Sequence, residues 1–93
     1  PVAVVESEKT ALIAAALMPQ YLWLASGSAG NLSAARCKVL QGRRVVLYPD
    51  AGMYQRWATV AAGIPGCSVS RLLETGAFAT GYDIADWLLE NEL

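Results

Sequence analysis

The sequence predicts an α/β fold: a single three-layer domain with a central, mainly parallel four-stranded sheet and helices on both faces. Three observations lead there. The runs Val2-Ala3-Val4-Val5 and Val45-Val46-Leu47 are continuously apolar rather than alternating, the character of strands buried on both faces. Each run is followed at once by a helix-like stretch, and strands alternating with such stretches mark βαβ units. With 55% apolar and only 16% charged residues, the chain is far from the composition of a disordered segment.

The elements follow in order. Val2 to Glu6 reads as the first strand, with Ser7 as an N-cap. Glu8 to Met18 is a helix that Pro19 stops, with Glu8 placed near its positive end. Tyr21 to Ala25 is the second strand, and Ser26-Gly27-Ser28-Ala29-Gly30 a turn. Asn31 or Ser33 then caps a short helix running to Leu40, which Gln41-Gly42 ends. Arg44 to Tyr48 is the third strand and Met53 to Ala62 a helix closed by Gly63 and Pro65. Cys67 to Leu72 reads as a fourth strand, Glu74 to Gly81 as a loop, and Tyr82 to Asn91 as a final amphipathic helix. Right-handed crossovers between parallel strands distribute these helices over both faces. Ninety-three residues suit one domain with one core, and no repeat or linker divides them. Pro1 enters a strand without a lead-in, so the expectation is a domain excised from a longer protein, whose other domains are its partners.

Composition narrows the chemistry. A net charge of -1 supplies no global field for nucleic acid, so phosphate contacts fall to local basic groups. There is no histidine, and Cys37 and Cys67 have no Cys-x-x-Cys spacing; a zinc site, a thiol-imidazole pair and a serine-histidine triad are all excluded. Both cysteines read as buried thiols in a reducing compartment. The apolar stretches are too short to span a bilayer and no secretory leader opens the sequence, so the expected location is cytoplasmic, with no membrane partner. Acid, base and metal chemistry therefore falls to carboxylates.

Two acids stand where such chemistry is expected. Glu6 closes the first strand and Asp50 follows the third, and ligands of open parallel sheets gather beyond the carboxyl ends of strands. The surrounding residues carry a resemblance. Val4-Val5-Glu6-Ser7-Glu8-Lys9-Thr10-Ala11 is similar to the first motif of Toprim domains. Trp23-Leu24-Ala25-Ser26-Gly27 resembles their second strand with its closing glycine. Val45-Val46-Leu47-Tyr48-Pro49-Asp50 resembles the third strand that leads into their Asp-x-Asp motif, and Asp83-Ile84-Ala85-Asp86-Trp87-Leu88 the closing acidic segment. The pattern is nearest to primase-like Toprim proteins of mobile elements.

The resemblance implies magnesium-dependent nucleotidyl transfer or phosphodiester chemistry on nucleic acid, DNA above all, as in DNA replication. It makes Glu6 and Asp50 catalytic metal ligands, with Glu6 also a general base, and Mg²⁺ or Mn²⁺ the ion, which accords with an oxygen-only ligand set. It further implies an upstream zinc-binding module in the full-length protein. The second aspartate of Asp-x-Asp falls at Gly52, which has no ligand side chain. Hence the alternative is a degenerate module that binds nucleic acid or a protein partner without catalysis.

Other candidates carry two readings each. Asp83 and Asp86 either complete the metal site or cap the last helix. Lys9 opposes the dipole of the first helix, so it either contacts a phosphate or is an exposed solubilising lysine. Arg56 either contacts phosphate or occupies an exposed helix face. Pro49-Asp50-Ala51-Gly52 is also ordinary turn chemistry. Trp23, Trp57 and Trp87 read as core rather than as base-stacking groups. A receiver-like domain would need an acidic pair after the first strand and a late lysine, both missing here.

Overall fold

The computed structural model describes residues 1–27, 42–74 and 78–92. Its sheet contains β1 (Val2–Val5), β2 (Leu22–Ala25), β3 (Val45–Leu47) and β4 (Cys67–Val69), all parallel, in the order β2-β1-β3-β4. The helices are α1 (Glu8–Leu17), α2 (Tyr54–Ala61) and α3 (Ile84–Glu92). The expected helix ending at Leu40, Cys37, and part of the expected turn at Ser26 to Gly30 lie outside the described residues.

All four residues of β1 are buried, because the pleat sends alternate side chains to opposite faces and both faces are covered. Val2 and Val4 join Val45, Leu47, Trp57, Ala61 and Ile64 on the side of α2. Ala3 and Val5 join Ala11, Ala14, Trp23, Ile84 and Leu88 on the side of α1 and α3. Alanines at 3, 11 and 14 leave no bulk between α1 and the sheet. The α1-side core ends in an aromatic cluster of Tyr21, Trp23 and Tyr48, with Trp23 Nε1 donating to the Met18 carbonyl at 2.8 Å. Burial pushes the Tyr48 phenol well above its ordinary range, and the Tyr21 hydroxyl at 3.5 Å adds to the effect.

Three expectations shift in detail. β4 ends at Val69 rather than Leu72, because the Ser70 hydroxyl accepts from the Leu72 N–H at 3.2 Å and turns the chain away from the ladder. The last helix starts at Ile84 rather than Tyr82, because Asp83 caps it. Cys67 is only half-buried, since β4 is an edge strand.

Candidate functional site

β1 and β3 lie side by side at the centre of the sheet, and the chain leaves them in opposite directions. From β1 it passes through α1 to β2; from β3 it passes through α2 to β4. Crossovers of one hand that move in opposite directions place their helices on opposite faces, as the two core clusters require. The loops after β1 and β3 therefore part from each other, and at such a switch point open parallel sheets take their ligands.

Glu6 is the first residue beyond β1 and Asp50 the third beyond β3. The β1–β3 ladder runs up to them through the Tyr48 N–H, which donates to the Val4 carbonyl at 2.9 Å. Their carboxyls meet. Burial first, then a hydrogen bond with the Glu6 carboxyl, then the charges of Glu6, Asp83 and Asp86 raise the Asp50 pKa from its ordinary 3.8 to about 7. Near neutrality Asp50 is thus about half protonated.

The Asp50 loop is held by backbone. The Met53 N–H donates to the Asp50 carbonyl at 2.9 Å, and Gly52 has φ +93°, the geometry of a type II turn with glycine at its third position. Ala51 pairs both ways with the segment before α3: its N–H donates to the Tyr82 carbonyl at 2.8 Å, and its carbonyl accepts from Gly81 at 3.0 Å. A Cβ on Gly52 would come within 3.3 Å of Thr80 Cγ2. The glycine that stands where the resemblance expects a second aspartate is therefore a requirement of this turn.

A second hydrogen-bonded set ties the starts of α1 and α3 together. Ser7 caps α1 by accepting from the Thr10 N–H at 3.1 Å. The buried Thr10 hydroxyl donates to Asp83 Oδ2 at 3.0 Å, so across its 2.8 Å contact with Ser7 Oγ it is the serine that donates. Asp83 Oδ1 accepts from the Asp86 N–H at 2.9 Å, and Asp86 Oδ2 from the Asp83 N–H at 3.0 Å, a reciprocal cap of α3. Both aspartates thus serve as caps while their charges reach Asp50. Thr10 lies within the Val4 to Ala11 stretch, but the sequence singles it out only by its place three residues after a capping serine.

Lys9 and Arg56 are exposed in the first turns of α1 and α2, both of which begin at this edge of the sheet. Trp23 and Trp57 are buried, and Trp87 packs against the α1-side core. Two surface grooves among the described residues lie elsewhere: about 450 Å³ between α1 and β2, lined by Glu8, Leu12, Trp23 and Leu24 among others, and about 380 Å³ beside Arg43 and Arg44 at the opposite edge. Glu8 is the one charged residue that lines the first, and the second is lined by Arg43 and Arg44 without a carboxylate.

The region that holds both acids also carries the comparison with known families. Residues 1–51 match the family described as Domain of unknown function (DUF6371). The chain belongs to that family. The DUF6371 match covers Glu6 and Asp50 and ends one residue before Gly52, so it spans β1, α1, β2 and β3. No curated protein and no solved structure matches the chain.

Among the described residues, no three Asp, Glu, Cys or His side chains are grouped to hold a metal ion. The donors at hand are the two carboxyls of Glu6 and Asp50. That set does not make an all-protein cage, but it fits Mg²⁺ or Mn²⁺, which commonly take one or two carboxylates and complete their shell with waters and substrate phosphates. Burial first, and after it the neighbouring carboxyls, disfavour a bare charge on Asp50, and a cation between Glu6 and Asp50 would offset that cost.

Proposed function

We propose that this chain is a Toprim-like domain of a primase-like mobile-element protein, acting on nucleic-acid phosphodiesters with Mg²⁺ or Mn²⁺. The observation that carries the reading is the meeting of Glu6 and Asp50 at the switch point between the two central strands. In it, Glu6 and Asp50 would hold the cation, and Glu6 would also serve as general base for the attacking hydroxyl or water. Asp83 and Asp86, fixed as caps, lend negative charge from the side of α3. Lys9 and Arg56 contact backbone phosphates. When bound, the divalent ion supplies Lewis-acid charge for the oxygens of the phosphodiester. The likeness of Val4 to Ala11 and Val45 to Asp50 to Toprim motifs supports the same reading, and a zinc-binding module upstream would be its natural partner.

One observation favours a second reading. Gly52 has the positive φ of its turn and, among the described residues, no third carboxylate is grouped with the pair, which suits a degenerate module that binds nucleic acid or a protein partner without catalysis. Activity separates the two. The protein, incubated with Mn²⁺ and single-stranded DNA, with and without nucleoside triphosphates, is expected to extend or cleave strands, and Glu6→Gln is expected to reduce the rate by at least about 10²-fold. An activity equal in wild type and Glu6→Gln would overturn the catalytic reading, and no activity in either would favour the binding module.

A further inference from the structure

The segment before α3 is seated on the turn that carries Asp50. Ala79 to Tyr82 is itself a tight turn: the Tyr82 N–H donates to the Ala79 carbonyl at 3.0 Å, and Gly81 at its third position has φ +91°. Ala51 holds this turn twice, through the Tyr82 carbonyl and the Gly81 N–H, and Thr80 lies beside Gly52. Two glycine turns are thus locked together, and the residues on the second are fixed next to the acidic pair.

Those residues include two aromatic rings. Phe78 and Tyr82, flanking the turn, stack face to face with centroids 4.7 Å apart and planes 5° from parallel. Neither is fully buried. Among the described residues neither packs against the two core clusters, which do enlist Tyr21, Tyr48 and Trp87. The single phenylalanine of the chain is therefore spent outside the core, at the edge of the candidate site. Tyr82 is anchored at both ends, its backbone by Ala51 and its hydroxyl by donation to Glu90 Oε2 of α3. Phe78 rests on a fixed support, and a platform ordered in advance loses little entropy when a ligand docks.

The chemistry of this side selects the ligand group. Asp83 and Asp86 follow Tyr82 directly and Glu90 bonds its hydroxyl, so a phosphate is repelled here. A neutral, flat group is not, and a nucleobase extends an aromatic stack without needing a hydrogen-bond partner. We propose that Phe78, backed by Tyr82, is a base-stacking platform that takes one nucleobase of the strand whose backbone lies at Glu6 and Asp50. The inference rests on the nucleic-acid reading above and adds that the strand is unpaired at this point, because an interior base of a duplex has both faces covered already.

The test is binding of a short fluorescein-labelled oligothymidylate to the intact chain, followed by anisotropy across a salt series, with Ca²⁺ as a hard cation for the oxygen ligands in place of Mn²⁺. Phe78→Leu, which keeps an apolar side chain but loses the ring, is expected to weaken binding about 5- to 10-fold, and Phe78→Tyr to stay within about twofold of wild type. The slope of log K against log salt should not change, since no phosphate contact is removed. An abasic strand of the same length should bind wild type about 5- to 10-fold more weakly than oligothymidylate does, and Phe78→Leu should close most of that gap. Leu12→Ala, which removes an exposed apolar side chain from α1, should leave affinity within about twofold. Equal oligothymidylate affinities for wild type and Phe78→Leu, or an equal loss of the abasic strand in that variant, would overturn the platform while leaving the acidic site as it stands. Absence of oligothymidylate binding by wild type would overturn the platform together with the nucleic-acid reading. A response of Glu6 and Asp50 to Mn²⁺ in the same protein would then show that the metal reading survives on its own.

Discussion

Asp50 is the residue on which the electrostatics of this protein turn. Folding half-buries its carboxyl against Glu6, and a pKa raised from 3.8 to about 7 means that the folded chain binds this proton more tightly than the unfolded one. Stability therefore falls as pH rises from roughly 4 to 7, and the penalty is complete above about 7; below the unfolded value the carboxyl is neutral in both states and the penalty vanishes. Asp50→Asn is accordingly expected to stabilise the chain above neutrality by on the order of 1–2 kcal/mol, allowing for the solvent screening of a half-exposed group, and to lose that advantage near pH 4. Urea unfolding of both proteins at acid and alkaline pH checks this; an equal difference at both would contradict it. At this scale the sequence was informative about which acids meet, because valine-rich strands that end in an acid locate each carboxylate along the chain. The raised pKa of Asp50 was not legible, since it depends first on how deeply the fold buries the carboxyl. Nor was the conformation of Gly52, although Pro-Asp-Ala-Gly announces a turn: only the pairing of Ala51 with Gly81 and Tyr82 brings Thr80 against it.

At the scale of elements, the starts of α1 and α3 form one hydrogen-bonded unit through Ser7, Thr10 and Asp83. Thr10→Val keeps the shape of the side chain but leaves a carboxylate oxygen of Asp83 and the Ser7 hydroxyl short of a partner, so we expect a loss of about 1–3 kcal/mol. Thr59→Val is the control: among the described residues its hydroxyl bonds to the Gln55 carbonyl on an exposed turn of α2, and the expected change is within about 0.5 kcal/mol. Thermal or urea unfolding of the two variants would expose an error if they proved equal. Apart from the end of β4, the described helices and strands were readable to within a residue or two, because Ser7, Pro19 and Gly63 punctuate them. The early end of β4 was hidden, since whether Ser70 bonds its own backbone or continues a strand is decided by how the chain beyond it packs. The stack of Phe78 on Tyr82 was hidden for a related reason: it depends on the turn from Ala79 to Tyr82, which pairs with the distant Ala51.

At the scale of the whole molecule, the order β2-β1-β3-β4 does the decisive work. It places β1 and β3 side by side at the centre, sends α1 and α2 to opposite faces, and so opens the sheet where Glu6 and Asp50 stand. Parallel strands with helices on both faces were legible from apolar runs and their spacing; the strand order was not, because periodicity reports burial and is silent on neighbours. No helix among the described residues is long and apolar enough to cross a membrane. The central claim is that the two acids can share a cation, and Mn²⁺ titration followed by paramagnetic broadening of NMR signals tests it most directly. In mildly alkaline buffer, where Asp50 has lost its proton, the account predicts saturable broadening centred on residues 6 and 50 that Glu6→Gln abolishes. Signals at both positions left unbroadened at millimolar Mn²⁺, or broadened equally in Glu6→Gln, would contradict it.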